Sequence, residues 1–122
     1  MARNITAGLG LTSTLESFGY AHVSSGTLHP ADLAEAMYSS IHAYAAPSAD
    51  LTAWNKEVLA EIPASAWENR NDPYWDTDSA MYVLEEMSDI LDGICPEGYW
   101  FSSSEGDGAD FAIWPVPPED AE

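Results

Sequence analysis

Four carboxylates, Asp78, Glu85, Asp89 and Asp92, recur at intervals of seven, four and three residues. On a helix those intervals return to one face, so the four would stand in a column, with Glu86 beside them. At ~1.5 Å rise per residue the column spans ~21 Å. No Lys or Arg lies between positions 78 and 94. Like charges at i,i+4 weaken a helix, and an ordinary solvated helix interleaves positive partners at that spacing. A charge run is usually a solvated face; the missing counter-charges set a binding face against that reading. A DNA strand carries one phosphate per ~3.4 Å of axis, a higher density than four carboxylates over ~21 Å. Adding Glu97, Glu105, Asp107 and Asp110 downstream, and Asp72 and Asp76 upstream, would bring the density closer.

Other residue types offer less chemistry. Glu105-Gly106-Asp107-Gly108-Ala109-Asp110 combines carboxylates with glycine turns, the ingredients of a calcium loop. It lacks the alternating acids and distal Glu of an EF-hand, so a hairpin turn with solvated acids accounts for it better. His22, His29 and His42 are scattered, and no metal set is expected. Cys95 reads as a small buried residue. Ser102-Ser103-Ser104 lacks the context of a nucleophile elbow. With 21 acids in the chain, a pair of carboxylates placed for acid–base work carries little information. No catalytic constellation stands out, and no cofactor is implied.

The charge balance is extreme: 21 acidic residues against Arg3, Lys56 and Arg70, a formal net charge of −18. A small domain needs only ~2–8 charges to stay soluble, and the excess costs stability through self-repulsion. It is also uneven. Residues 1–60 hold five acids and two bases, a net of −3; residues 61–122 hold 16 acids and one base, a net of −15. Salt-adapted acidity would be dispersed instead. A hydrophobic content of 46% with five Trp supplies a core, so the chain folds, as one domain of 122 residues. A single Cys forbids an internal disulfide, and no apolar run approaches a membrane span. The N-terminal residues lack a signal-peptide pattern, which makes the cytoplasm the expected location. An anionic surface would be repelled by anionic lipid.

The elements that must position the acids follow from periodicity. Pro30 opens a helix whose apolar face is Leu33, Met37, Ile41 and Tyr44, ended by Pro47. A second helix, over 50–61, carries Leu51, Trp54 and Val58, with Ile62 and Pro63 after it. Residues 63–77 read as a loop from which Trp67, Tyr74 and Trp75 fold back onto the core. The third helix, over 78–94, is capped by Thr77 or Asp78 and buries Ala80, Leu84, Met87, Leu91 and Ile94. Tyr99-Trp100-Phe101 and the alternating Asp110–Trp114 predict a β-hairpin. Residues 1–24 predict an irregular arm, with a short helix near 13–18 or a strand near 20–23, and 115–122 a frayed acidic tail. The expected fold class is α+β: about three helices packed on a small antiparallel sheet.

Two stretches carry a resemblance. Ser25-Gly26-Thr27-Leu28-His29-Pro30-Ala31-Asp32-Leu33 is one; the other runs from Pro96-Glu97-Gly98-Tyr99-Trp100-Phe101 through Glu105-Gly106-Asp107-Gly108-Ala109-Asp110-Phe111 to Trp114. They resemble small acidic proteins of phages, plasmids and integrated elements of bacteria, with Ala112 standing where many relatives have Gly. The resemblance covers about residues 24–114 and implies a setting more than a mechanism: counter-defence, as in anti-CRISPR and anti-restriction proteins, several of which are DNA mimics. It supplies no catalytic residues to carry over. The leading expectation is therefore a non-enzymatic DNA mimic that blocks the basic nucleic-acid-binding surface of a CRISPR effector. The chain would not bind nucleic acid itself. An anti-restriction mimic is the alternative within the class. A different class is an adaptor or antitoxin-like module using an aromatic surface around Trp67, Tyr74, Trp75 and Trp100. A homodimer would double the charged footprint, though nothing in the sequence demands one.

Overall fold

Proline and short polar side chains decide where each helix begins, and apolar spacing decides which face it buries. A computed structural model describes residues 5–27, 29–104 and 107–116. The order of elements is α1 (Leu9–Phe18), β1 (Ala21–Ser24), α2 (Pro30–Tyr44), α3 (Ala49–Glu61), α4 (Ala64–Glu68), a 3-10 turn (Pro73–Asp76), α5 (Asp78–Gly93), β2 (Tyr99–Ser104) and β3 (Asp107–Pro115). The fold is α+β. Its antiparallel sheet has the order β1-β3-β2, so the last strand is central.

Local chemistry accounts for the helix starts. His29 Nδ1 accepts from Ala31 N at 3.1 Å ahead of Pro30, which opens α2. Ser48 Oγ accepts from Leu51 N at 3.1 Å to cap α3. Asp72 caps the 3-10 turn through Tyr74 N at 2.9 Å, and Thr77 Oγ1 caps α5 through Ala80 N at 3.2 Å. Each bond satisfies a donor that the first helical turn leaves open.

The arm expected to be irregular is ordered from Ile5 onward, holding both α1 and β1. Residues 6–8 pair with 44–46, through Gly8 N to Tyr44 O at 2.7 Å and Ala46 N to Thr6 O at 2.8 Å. A Cβ on Gly10 would lie 2.6 Å from Ala43 O, so only glycine fits where α1 meets the end of α2. β1 pairs with β3 in the register Ala21↔Ile113 and His22↔Ala112. That partner lies some ninety residues away, beyond the reach of local periodicity. The loop expected over 63–77 holds α4 and the 3-10 turn. At the other end, Pro115 closes β3 and Val116 N donates to Gly98 O at 2.8 Å, while 117–122 lie outside the described residues.

α2 and α5 form the main helix pair and cover one face of the sheet. The largest fully buried side chains are Leu11, Ile41, Trp54, Ile62, Met87, Leu91, Ile94 and Ile113. Each contributes about 1.5–3 kcal/mol on burial. A like-charge pair on a helix surface costs only about 0.2–0.5 kcal/mol. The difference explains how a chain of net charge −18 holds its fold.

Candidate binding surface

α5 separates its residues cleanly by face. Ala80, Val83, Leu84, Met87, Ile90 and Leu91 are buried, while Asp78, Glu85, Asp89 and Asp92 are exposed on the opposite side. Two exposed apolar side chains interrupt the column, Met81 at 51% and Tyr82 at 69%. Their spacing from Asp78 and Glu85 placed them on this face from the start, a signal that a search for carboxylates passes over.

The other expected acids divide. Glu86 is turned toward α3, where its Oε1 accepts from the indole of the fully buried Trp54 at 3.1 Å. The bond ties it to the core while it stands beside the column, on the cleft between α3 and α5. Asp92 lies at the sheet end, with Oδ1 3.4 Å from Phe101 N. Glu97 is exposed in the turn leading to β2. Asp72 is half-buried as a cap, and Asp76 is exposed in the 3-10 turn. Asp110 is half-buried in β3, in a stretch where the pairing with β2 slips, between Asp107 opposite Ser104 and Phe111 opposite Ser103. Glu105 and the side chain of Asp107 lie outside the described residues. Compared with protein-family models, curated proteins and solved structures, the chain matches none.

Two clefts flank the column. One, of about 380 Å³, runs between α3 and α5 and is lined by Glu57, Glu61, Tyr82 and Glu86. The acidic surface therefore continues from α5 onto α3, through residues that spacing along a single helix could not join to it. The other, of about 290 Å³, lies between α2, α5 and the sheet. Leu33, Met37, Met81, Leu84, Phe101 and Phe111 line it, with Glu85 and Asp89 at its edge.

Of the aromatic residues expected to form a surface, Trp75 is buried, while Trp67, Tyr74 and Trp100 are half-buried. Trp75 is 3% exposed, and its indole donates to Ala66 O at 2.9 Å. Trp67 packs edge-on to Trp75 and against Tyr38, and Tyr74 packs on Trp75, each partly buried against the core. Trp100 stands apart on the outer sheet face, opposite Trp114 in register. Tyr20 stacks on Trp114 at 4.9 Å.

Among the described residues no group of three or more His, Cys, Asp or Glu is arranged to hold a metal. His42 Nε2 lies 3.0 Å from Asn55 Oδ1, which also accepts from the Tyr38 hydroxyl. His29 is a helix cap, and His22 is exposed on β1. Cys95 is half-buried rather than fully buried. Its thiol points to Leu91 O at 3.2 Å, and burial, helped by Asp92, pushes its pKa up to about 12. A thiol so protonated is a poor nucleophile. Among the described residues no helix is long and apolar enough to cross a membrane.

Proposed function

We propose that this chain is an inhibitor that competes with DNA for a basic nucleic-acid-binding surface of a bacterial defence complex, a CRISPR effector before a restriction enzyme. The observation that carries the reading is the exposed row Asp78, Glu85, Asp89 and Asp92 on a helix with no Lys or Arg, continued across α3 by Glu57 and Glu61. A rigid row of carboxylates presents to a basic channel what a DNA backbone presents, negative charge at a fixed spacing. Asp110 in β3 and the cap Asp72 contribute to the field. The reading assigns no reaction to the chain and places it inside the bacterial cell, where such complexes act.

The test is displacement of labelled target DNA from purified CRISPR effectors and restriction enzymes at low and moderate salt. Salt-sensitive displacement from one complex is the expected result, because paired charges at an interface are screened. The variant Glu85→Lys with Asp89→Lys should weaken displacement by at least about 100-fold, since close interfacial charge pairs carry about 1.5–7 kcal/mol each. Displacement by this variant equal to wild type would remove the α5 assignment. Displacement from a restriction enzyme alone would transfer the reading to anti-restriction.

A further inference from the structure

Phosphate mimicry calls for carboxylates alone, yet the α5 column is bordered by an apolar cleft. Met81 and Leu84 from α5, Leu33 and Met37 from α2, and Phe101 and Phe111 from the sheet line it, while Glu85 and Asp89 stand at its edge. The two phenyl rings stack at 5.9 Å and form one wall. The hydroxyl of Ser88 is engaged with the Met37 sulfur at 3.6 Å, which leaves the floor little to offer a polar ligand. Methionines adapt their shape to what packs on them, and two of the six apolar lining residues are Met.

We propose that this cleft receives one aliphatic or aromatic side chain of the protein partner, flanked on the partner by Lys or Arg that meet Glu85 and Asp89. The proposal rests on the inhibitor reading and adds the anchor to it. Charge complementarity selects the occupant. The carboxylate edge repels anionic lipid and nucleic acid, and it attracts a basic segment. Size is compatible with it: about 290 Å³ is ample for one large aliphatic or aromatic side chain. Interfaces of this kind draw affinity from a desolvated anchor in a pocket, with charges at the rim setting on-rate and orientation.

The experiment uses the whole chain and two synthetic nonapeptides of equal charge, each with eight arginines, one with leucine and the other with glycine at the centre. Binding is read by fluorescence anisotropy at low salt, with the methyl signals of Met37, Met81 and Leu84 followed by NMR. The leucine peptide should bind about tenfold tighter or more, the worth of burying one such side chain, and should shift those methyls. Met81→Glu, at a half-exposed position that leaves the core intact, should erase the leucine preference without weakening the glycine peptide. Glu85→Gln with Asp89→Asn should weaken both peptides alike and keep the preference. Equal binding of the two peptides overturns the anchor while leaving the acidic-surface reading in place. A leucine preference that survives Met81→Glu with unshifted methyls also overturns it. Failure of both peptides to bind removes the acidic-surface reading itself.

Discussion

The start of α2 with the loop before α5, and the outward face of α5, both carry acids, and they use them in opposite ways. In the first, Asp32 accepts from Thr27 Oγ1 and pairs with Arg70, each at 2.8 Å, and Asp72 caps the 3-10 turn. Glu86, on the α3 flank of α5, likewise accepts from Trp54. On the outward face, Asp78, Glu85 and Asp89 have no hydrogen-bond or ion-pair partner among the described residues. Residue type is the same in the two sets; only the neighbours differ. An acid with a neutral donor or a cation beside it has a structural part, even where, as with Asp92 and Glu61, it also borders the row. The acids with neither are surplus charge that the fold does not use. Such a surplus is where a partner's charge is to be sought.

The contrast can be broken at its structural end first. Trp54→Ala removes a fully buried indole, leaves a cavity and takes away the donor to Glu86. The expected loss is about 3–5 kcal/mol, read from urea denaturation. A loss below ~1 kcal/mol, the range of an ordinary surface change, would mean that Trp54 does not hold α3 against α5. Thr77→Ala removes the α5 cap and should cost about 1 kcal/mol, with DNA displacement unchanged when the protein is fully folded. Displacement that falls along with the cap would show that Thr77 itself belongs to the binding surface beside Asp78.

Alkaline pH probes the structural side without mutation. Burial, with Glu61 adding to it, pushes the Tyr74 hydroxyl from 10.0 up to about 12, and Cys95 rises from 9.0 to about 12. Both groups hold their protons more tightly when folded, so the unfolded chain releases protons first. Their contribution is complete below about pH 9 and is lost as pH rises towards 12. The urea midpoint should therefore decline between these limits, and the decline should be shallower in Cys95→Ala. A midpoint that stays level would contradict the protonated, sheltered environment of both groups.

The smallest effect on stability is expected where the effect on binding is largest. Glu85→Lys with Asp89→Lys should move unfolding free energy by no more than about 0.5 kcal/mol, since surface changes away from caps and core stay within that range. The two positions stay like-charged at i,i+4, so a small gain is expected only from the lower net charge and from a cation at 89 set three residues from Glu86 and Asp92. A loss of several kcal/mol would place the two carboxylates among the structural acids and dissolve the contrast.

Much of the helical half was legible in advance. Leu51, Trp54, Val58 and Ile62 repeat at helical steps and all are buried, as are Ala80, Leu84, Met87, Leu91 and Ile94. Each stripe is a local pattern, and the period of the helix decides its face whatever packs on it. The N-terminal arm resisted reading because β1 draws its bonding from β3, at the far end of the chain. α4 is only five residues long, too short for a period to show. The aromatic segment 67–75 packs on the core through Trp75, while Trp67 and Tyr74 stay half-buried, a division that spacing along the loop does not encode.

The sequence by itself determined the charge, its concentration in the second half, the two strongest helices and the exposed carboxylate row of α5, because all of these depend on composition or on neighbours within a few turns. Only the tertiary structure decided which acids share a surface. It turned Glu86 to a tryptophan of α3, joined Glu57 and Glu61 to the α5 surface across a cleft, and set Asp110 in an irregular stretch of β3. It also set an apolar cleft beside Glu85 and Asp89 by bringing α2 and two strands against α5. Contacts between elements distant in the chain follow from how the core closes, and no periodicity within one element encodes them.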